Sequence, residues 1–265
     1  SFWIDRIVHP AEAGLTWTLY AAFGLMPLDL ASWVGGFLGR TVGARLKVTQ
    51  NARRNLKRIF PDLTEADIDR IVIEMWDNLG RTAGEHPHLA RFDPYAPNSR
   101  VEVVGGEYVD ALRDDGKTGL LFAGHIANGE ISPLAGVKRG LTLNLVYRRA
   151  NNPFFDAIVQ KGRAVLGGDL YPKGSEGAKQ MLRAMIRGDH MAMLVDQKMN
   201  DGISVPFLGI EAMTASAIGE LAVRFDCPVV PARVERLKGA RFRVTFEPPL
   251  VKPSSGDRKA DVKEL

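Results

Sequence analysis

From Val101 onward the chain alternates short apolar runs with stretches of helical period, and this alternation restricts the fold more than any other feature. The segments "GLLFAG", "LNLVYR", "MAMLVD", "PVVPARV" and "FRVTFE" have the length and composition of strands. Between them, "PFFDAIVQKGRAVL", "GAKQMLRAMIRG" and "TASAIGELAVRF" repeat their apolar residues at helical spacing. Strand and helix by turns predict an α/β fold with a mixed, partly parallel sheet flanked by helices. In such sheets the chemistry belongs at the carboxyl ends of strands, in the loops that enter the helices. The polar tail "KPSSGDRKADVKEL" is expected to fray.

The amino-terminal part has a different texture. Ala13 to Leu28 carries no charge, and Leu30 to Gly39 continues the run after Asp29 alone. Each piece is shorter than the roughly 20 residues that span a bilayer, and Pro27 interrupts them. They read as hydrophobic helices that lie on or dip into a membrane, with a tilted single span and a helical hairpin packed on the domain as the other readings. Trp17, Tyr20 and Trp33 suit an interfacial zone. Asp5 and Glu12 stand where a signal peptide is positively charged, which disfavours a cleaved leader. The chain therefore divides into residues 1–45, a membrane-associating helical segment, and residues 46–265, an α/β domain. Within the latter, Thr64 and Asp67 make a capping pair for a helix from about Glu65 to Leu79, which Gly80 can end. The proline-containing "HPHLARFDPYAPNSR" after it reads as a loop.

Charge and motif content exclude several function classes. The 265 residues include 35 Lys and Arg against 31 Asp and Glu, a net charge of +4 that does not argue for nucleic acid. The excess is local: from Arg40 to Arg58 there are seven basic residues and no acidic one, a stretch facing either phosphate groups or water. A lone cysteine, Cys227, permits neither an internal disulfide nor a cysteine zinc cluster. No "GxSxG" elbow and no "HExxH" helix occurs, and "GGFLG" lacks dinucleotide-loop spacing and reads as close helix packing. "EHPH" at Glu85 to His88 lacks further ligands for a metal, so no metal and no cofactor is expected.

One stretch combines chemistry with position. "GHIANGEISPLAG" follows the apolar run "TGLLFA", and its His125 and Glu130 are five residues apart. On a regular helix that spacing separates side chains by about 140°, since each residue turns about 100°. The two can meet only if His125 lies in the loop and Glu130 in the first helical turn. Asn128 as a cap and Pro133 near the helix start permit this geometry. Glu130 would then orient the imidazole while the other ring nitrogen takes a proton from a substrate hydroxyl. The alternative is a core histidine beside a capping acid, and spacing does not separate the two.

Further blocks bear on that choice. "GHIANGE" resembles the HxxNxE form of the HxxxxE signature of lipid A biosynthesis lauroyl/myristoyl acyltransferases, within the glycerolipid-type acyltransferase superfamily. "NLVYRRANNPFFD", "MLVDQKMNDGISVPFLGIEAMTASA" and "CPVVPARVER" resemble the later blocks of that family, and "NARRNLKRIFPDLTEADIDRIVIEMWDNLGRTAGE" resembles its helical amino-terminal portion. The resemblance spans roughly Asn51 to Pro249.

It implies a membrane-associated O-acyltransferase on the cytoplasmic face of a bacterial inner membrane. The donor would be an acyl carrier protein thioester and the acceptor a hydroxyl on an acyl chain of a lipid A precursor, as in lipopolysaccharide biosynthesis. By the match His125 is the general base and Glu130 its partner. Asn128, Arg148, Arg149, Asp196 and Gln197 belong to the substrate site, with Arg148 at the acceptor or its phosphates. Gly129 stands where the family often has an aromatic residue, and Arg149 where proline is common. Acylation of another phospholipid or glycolipid, or non-catalytic binding of anionic lipid, are the alternative functions.

Overall fold

The computed structural model describes residues 9–150 and 152–265; Asp5, used above against a signal peptide, lies outside them. Four helices come first: α1 (His9–Leu25), α2 (Leu28–Thr41), α3 (Thr49–Ile59) and α4 (Glu65–Glu85). Pro27 separates the first two, its missing N–H and fixed φ of −56° suiting a helix start. The capping box of α4 is formed as expected: Asp67 N–H donates to Thr64 Oγ1 at 3.2 Å, and Thr64 N–H to Asp67 Oδ2 at 3.3 Å.

The end of α4 differs from the expectation. The helix runs through Gly80 to Glu85 because Gly80 is a packing residue rather than a stop. Gly35 and Gly39 of α2 lie against the backbone of Gly80 and Trp76, and Gly84 against that of Ala31, so a Cβ at any of them would collide with the other helix's main chain. The "GGFLG" segment thus allows two helix backbones to touch. Gly39→Ala is expected to destabilise the protein by about 1–3 kcal/mol through overpacking, measured as a lower urea midpoint at unchanged m-value.

A 3-10 segment (His86–Arg91) forms the first part of the expected loop, and residues 92–100 continue without helix or strand to β1. The remainder is β1 (Val101–Val104), α5 (Gly106–Asp114), β2 (Leu120–Ala123), α6 (Ile131–Lys138), β3 (Leu143–Tyr147), α7 (Pro153–Arg163), β4 (Leu170–Pro172), α8 (Ser175–Ile186), β5 (His190–Leu194), β6 (Lys198–Phe207), β7 (Ile210–Thr214), α9 (Ala217–Phe225), β8 (Val229–Arg236), β9 (Phe242–Phe246) and α10 (Arg258–Glu264). The main sheet has the order β1-β9-β8-β2-β5-β3-β4. It is parallel except between β8 and β9, so β9 and β1 run against the other strands.

Helices cover both faces, the arrangement that lets nearly continuous apolar strands be buried. On one face Leu121, Leu143, Val230 and Phe242 pack against Val109 and Leu112 of α5 and Ile131 and Leu134 of α6. On the other, Leu120, Met191 and Val229 pack against Met181 and Met185 of α8 and Leu221 of α9. The mixed, partly parallel sheet with flanking helices is the architecture expected from the alternation.

Two segments depart from the sequence reading. β6 and β7 form an antiparallel ribbon that pairs only with itself, turning at Leu208 and Gly209, both with positive φ (49° and 76°). Its polar content and Pro206 gave no strand period. The tail does not fray throughout: Asp257 caps α10 by accepting from Lys259 and Ala260 N–H, and buried Asp261 accepts from Ser255.

Candidate active site

Strand register brings the site together. β2 and β5 are parallel neighbours with Ala123 opposite Leu194, and Val195 N–H extends the ladder to the Ala123 carbonyl at 3.2 Å. Two residues beyond that pair on each strand stand His125 and Asp196, at the sheet's carboxyl end. Asp196 uses both oxygens on the histidine: Oδ2 accepts from His125 N–H at 2.7 Å, and Oδ1 lies 2.6 Å from ring Nδ1. Burial works against the ionised carboxylate, but hydrogen bonds from the ring and backbone of His125 outweigh it and hold Asp196 below the ordinary carboxylate range. An ionised Asp196 requires a hydrogen on Nδ1, which leaves the lone pair of a neutral ring on Nε2. The histidine side chain is 48% exposed, and the Gln197 amide nitrogen is 3.5 Å from Nε2. Chemically, such an arrangement can accept a proton from a hydroxyl at Nε2.

Glu130 occupies the position just before α6, near the start expected for it, but its carboxylate makes no capping bond and points elsewhere. Arg163 of α7 grips it, with Nε 3.0 Å from both oxygens, in a pair 18% and 16% exposed. Among the described residues no hydrogen bond joins Glu130 to His125. Asn128 is fully buried: Oδ1 accepts from Glu130 N–H at 3.3 Å and Nδ2 donates to Glu85 Oε2 at 3.0 Å. Gly129, Glu130 and Arg163 border a cavity of about 50 Å³ floored by Leu121, Leu145 and Ala192. That is room for one or two waters, at about 30 Å³ each, and less than an extended hydrocarbon chain needs. A Cβ on Gly129 would meet its nearest neighbours at 3.9 and 4.0 Å, so alanine there would make only ordinary van der Waals contacts.

Arg148 and Arg149 follow β3 at the same carboxyl edge, with β5 between β3 and β2. Both are exposed, and neither has an ion-pair partner among the described residues. Sequence reasoning gave no site role to Arg163, Glu85, Asn78, Thr82 or Arg236, which all reach the loop carrying His125 or its supports. Glu85 was weighed only as part of "EHPH", and Asn78, Thr82 and Arg236 lie within family-like blocks whose residues were given no role there, because their partners are contributed by other elements.

The other flagged groups are placed differently. His88 Nε2 is 2.9 Å from the Phe23 carbonyl in the interior, and among the described residues no His, Cys, Asp and Glu cluster could hold a metal. In the basic stretch, Arg40 pairs with Asp77, Arg53 with Asp69 and Lys57 with Glu65, so α4 offsets part of the charge. Among the described residues no helix is long and apolar enough to cross a membrane.

His86 lies behind the site, against Gly162 of α7 and edge-on to Tyr20, with Nε2 buried and without a partner among the described residues. Burial lowers its pKa from the ordinary 6.5; Glu130 acts in the opposite sense and Arg163 adds to the lowering. The unfolded chain therefore takes up a proton at this ring before the native protein does. Stability is expected to fall as pH drops through 6.5 towards the depressed native value, with a slope of at most about 1.4 kcal/mol per pH unit from this group. His86→Phe should flatten that slope in urea unfolding measured at successive pH values.

In sequence, the chain is similar to known proteins over most of its length. The family described as bacterial lipid A biosynthesis acyltransferase matches residues 6–265. The lipid A biosynthesis myristoyltransferase of Escherichia coli (strain K12) is 25% identical over 237 residues, covering 87% of this chain and 72% of that protein. The lipid A biosynthesis acyltransferase of Haemophilus influenzae is 23% identical over 221 residues, covering 82% and 69%. Lipid A biosynthesis acyltransferase 1 of Shigella flexneri is 25% identical over 237 residues, covering 87% and 72%. The chain belongs to the bacterial lipid A biosynthesis acyltransferase family and is an O-acyltransferase.

Proposed function

We propose that the protein moves a fatty acyl group from an acyl carrier protein thioester to a hydroxyl on an acyl chain of a lipid A precursor. The observation that carries this reading is His125 at the end of β2, clasped by both oxygens of Asp196 with Nε2 open to solvent. His125 is the general base. Nε2 takes the hydroxyl proton as the oxygen attacks the thioester carbonyl; the C–S bond then breaks, and the imidazolium proton passes to the leaving sulfur. The nucleophile belongs to the substrate, so no protein nucleophile is required.

Asp196 orients the ring and stabilises the imidazolium. Glu130 acts through Arg163, holding the start of α6 and the wall of the small cavity. Arg148 and Arg149, uncommitted and planar, suit acceptor phosphates, while Gln197 meets the reacting groups near Nε2. Asn128 contributes by holding the loop rather than by touching substrate.

Residues 1–45 form the membrane-associating segment and residues 46–265 the catalytic domain, placed on the cytoplasmic face of the inner membrane. Leu15, Trp17, Leu19 and Leu25 on α1, and Leu30, Trp33 and Phe37 on α2, are exposed, with Leu25 at 89%. An exposed apolar surface of this kind fits helices lying in the interface. Lys47 and Arg58, for which no pairing acid is seen among the described residues, suit anionic lipid or an acidic carrier protein.

Incubation of the purified protein with acyl carrier thioester and a lipid A precursor should yield a lipid heavier by one acyl group, with release of free carrier thiol. Mass gain on a phospholipid and none on the lipid A precursor would replace the acceptor. No thioester consumption with any lipid would refute transfer.

A further inference from the structure

Ala127, between His125 and Asn128, has a φ of 51°, the left-handed region that a residue bearing a Cβ adopts only when its surroundings impose it. The surroundings are one face of α4. The Ala127 carbonyl accepts from Asn78 Nδ2 at 2.9 Å and lies 3.1 Å from Thr82 Oγ1, while the next residue, Asn128, donates to Glu85 at 3.0 Å. Asn78, Thr82 and Glu85 stand four and three residues apart, so they share a helix face. The Thr82 hydroxyl also lies 3.0 Å from the Asn78 carbonyl, and its single hydrogen serves one of the two oxygens at a time.

Arg236 of β8 locks this face from behind. Its Nε donates to Asn78 Oδ1 at 2.9 Å, and its second terminal nitrogen donates to Thr82 Oγ1 at 3.3 Å and Glu85 Oε2 at 3.1 Å. With Oδ1 occupied by Arg236, the Asn78 amide must turn Nδ2 towards Ala127. The loop that carries His125 is therefore held from two directions: Asp196 grips the histidine itself, and α4 grips the turn that follows it.

We infer that Asn78 and Thr82 are positioning residues for His125, imposing the left-handed turn at Ala127 through its carbonyl. The inference rests on His125 being the base. Displacing a base by about 1 Å can cost on the order of 100-fold in rate, whereas substrate contacts on other loops are untouched.

The test is steady-state kinetics on purified full-length variants, scaled to folded protein by near-ultraviolet circular dichroism. Asn78→Leu should lower kcat about 10- to 100-fold with KM for the carrier thioester unchanged. Thr82→Val should act in the same direction and Thr82→Ser should retain activity; if Asn78→Leu does not fold, the threonine pair carries the test. Adding Ala127→Gly to either weakened variant should restore part of kcat, because glycine takes the left-handed turn without a Cβ. A kcat per folded molecule equal to the parent's, a loss confined to KM, or no recovery with Ala127→Gly would overturn the inference. His125→Ala run alongside separates the two readings: if it stays active the base assignment fails, and if it is inactive while Asn78→Leu and Thr82→Val match the parent, the positioning role alone fails.

Discussion

Replacing His125 by alanine is expected to lower kcat by about 100- to 10,000-fold, the contribution of a positioned general base. The fold should survive, because the ring is 48% exposed and its principal partner, Asp196, is 39% exposed. Asp196→Asn is expected to lower kcat as well, since an amide can leave Nδ1 as the acceptor and put the hydrogen on Nε2, the wrong tautomer for a base. Glu130→Gln should act differently. It leaves Asp196 on the ring and weakens the Arg163 pair, so its loss should show in stability at least as much as in kcat. Thioester consumption by the three variants, with their melting temperatures, checks this ordering, and a Glu130→Gln loss as deep as that of His125→Ala at unchanged stability would return the orienting role to Glu130.

Acid should affect this site through Asp196 in one direction. Its native pKa lies below the ordinary 3.8, so its contribution to stability is present above that value and is lost as pH falls through the lower native one. At neutral pH it is ionised and keeps Nδ1 protonated. An acid limb in kcat/KM above pH 5 cannot then come from this carboxylate.

Glu85→Ala should give the largest loss of stability. Glu85 is fully buried and receives hydrogen bonds from Ser32 of α2 at 2.7 Å, from Asn128 at 3.0 Å and from Arg236 at 3.1 Å. Removing the carboxylate strands the Arg236 guanidinium, 13% exposed, with no counter-charge in that pair. Losing one partner of a buried pair costs about 3–5 kcal/mol, mostly the penalty of the charge left behind. Urea unfolding should show a lower midpoint for Glu85→Ala, and a smaller shift for Glu85→Gln, which keeps the shape and part of the hydrogen bonding. A shift within about 0.5 kcal/mol, the range of ordinary surface substitutions, would mean that the network is not held by this charge.

The fold was legible where local physics decides it. Apolar runs such as Leu120–Ala123 and residues 229–232 became strands because a sheet covered on both faces buries most of the side chains along them. The start of α4 was legible because Thr64 and Asp67 satisfy each other's backbone within four residues. Its end was not, since Gly80 is a helix stop by local rule and a contact point only when Gly35 lies opposite. The β6–β7 ribbon was missed because a ribbon exposed on both faces has no apolar alternation to display.

The same division runs through the candidate site. Sequence by itself determined that a histidine stands where an apolar strand gives way to a helix, that Glu130 begins that helix, and which family's blocks surround them. It could not choose the partner of His125. A spacing of five permitted Glu130 and the family resemblance implied it, but pairing follows strand register rather than sequence distance: the parallel match of Ala123 with Leu194 sets Asp196, 71 residues away, beside the ring. The tertiary structure alone also turned Glu130 to Arg163 and laid α4 against the Ala127 carbonyl. These contacts join elements that are remote in the chain, and only the free energy of burying them together selects one set of partners.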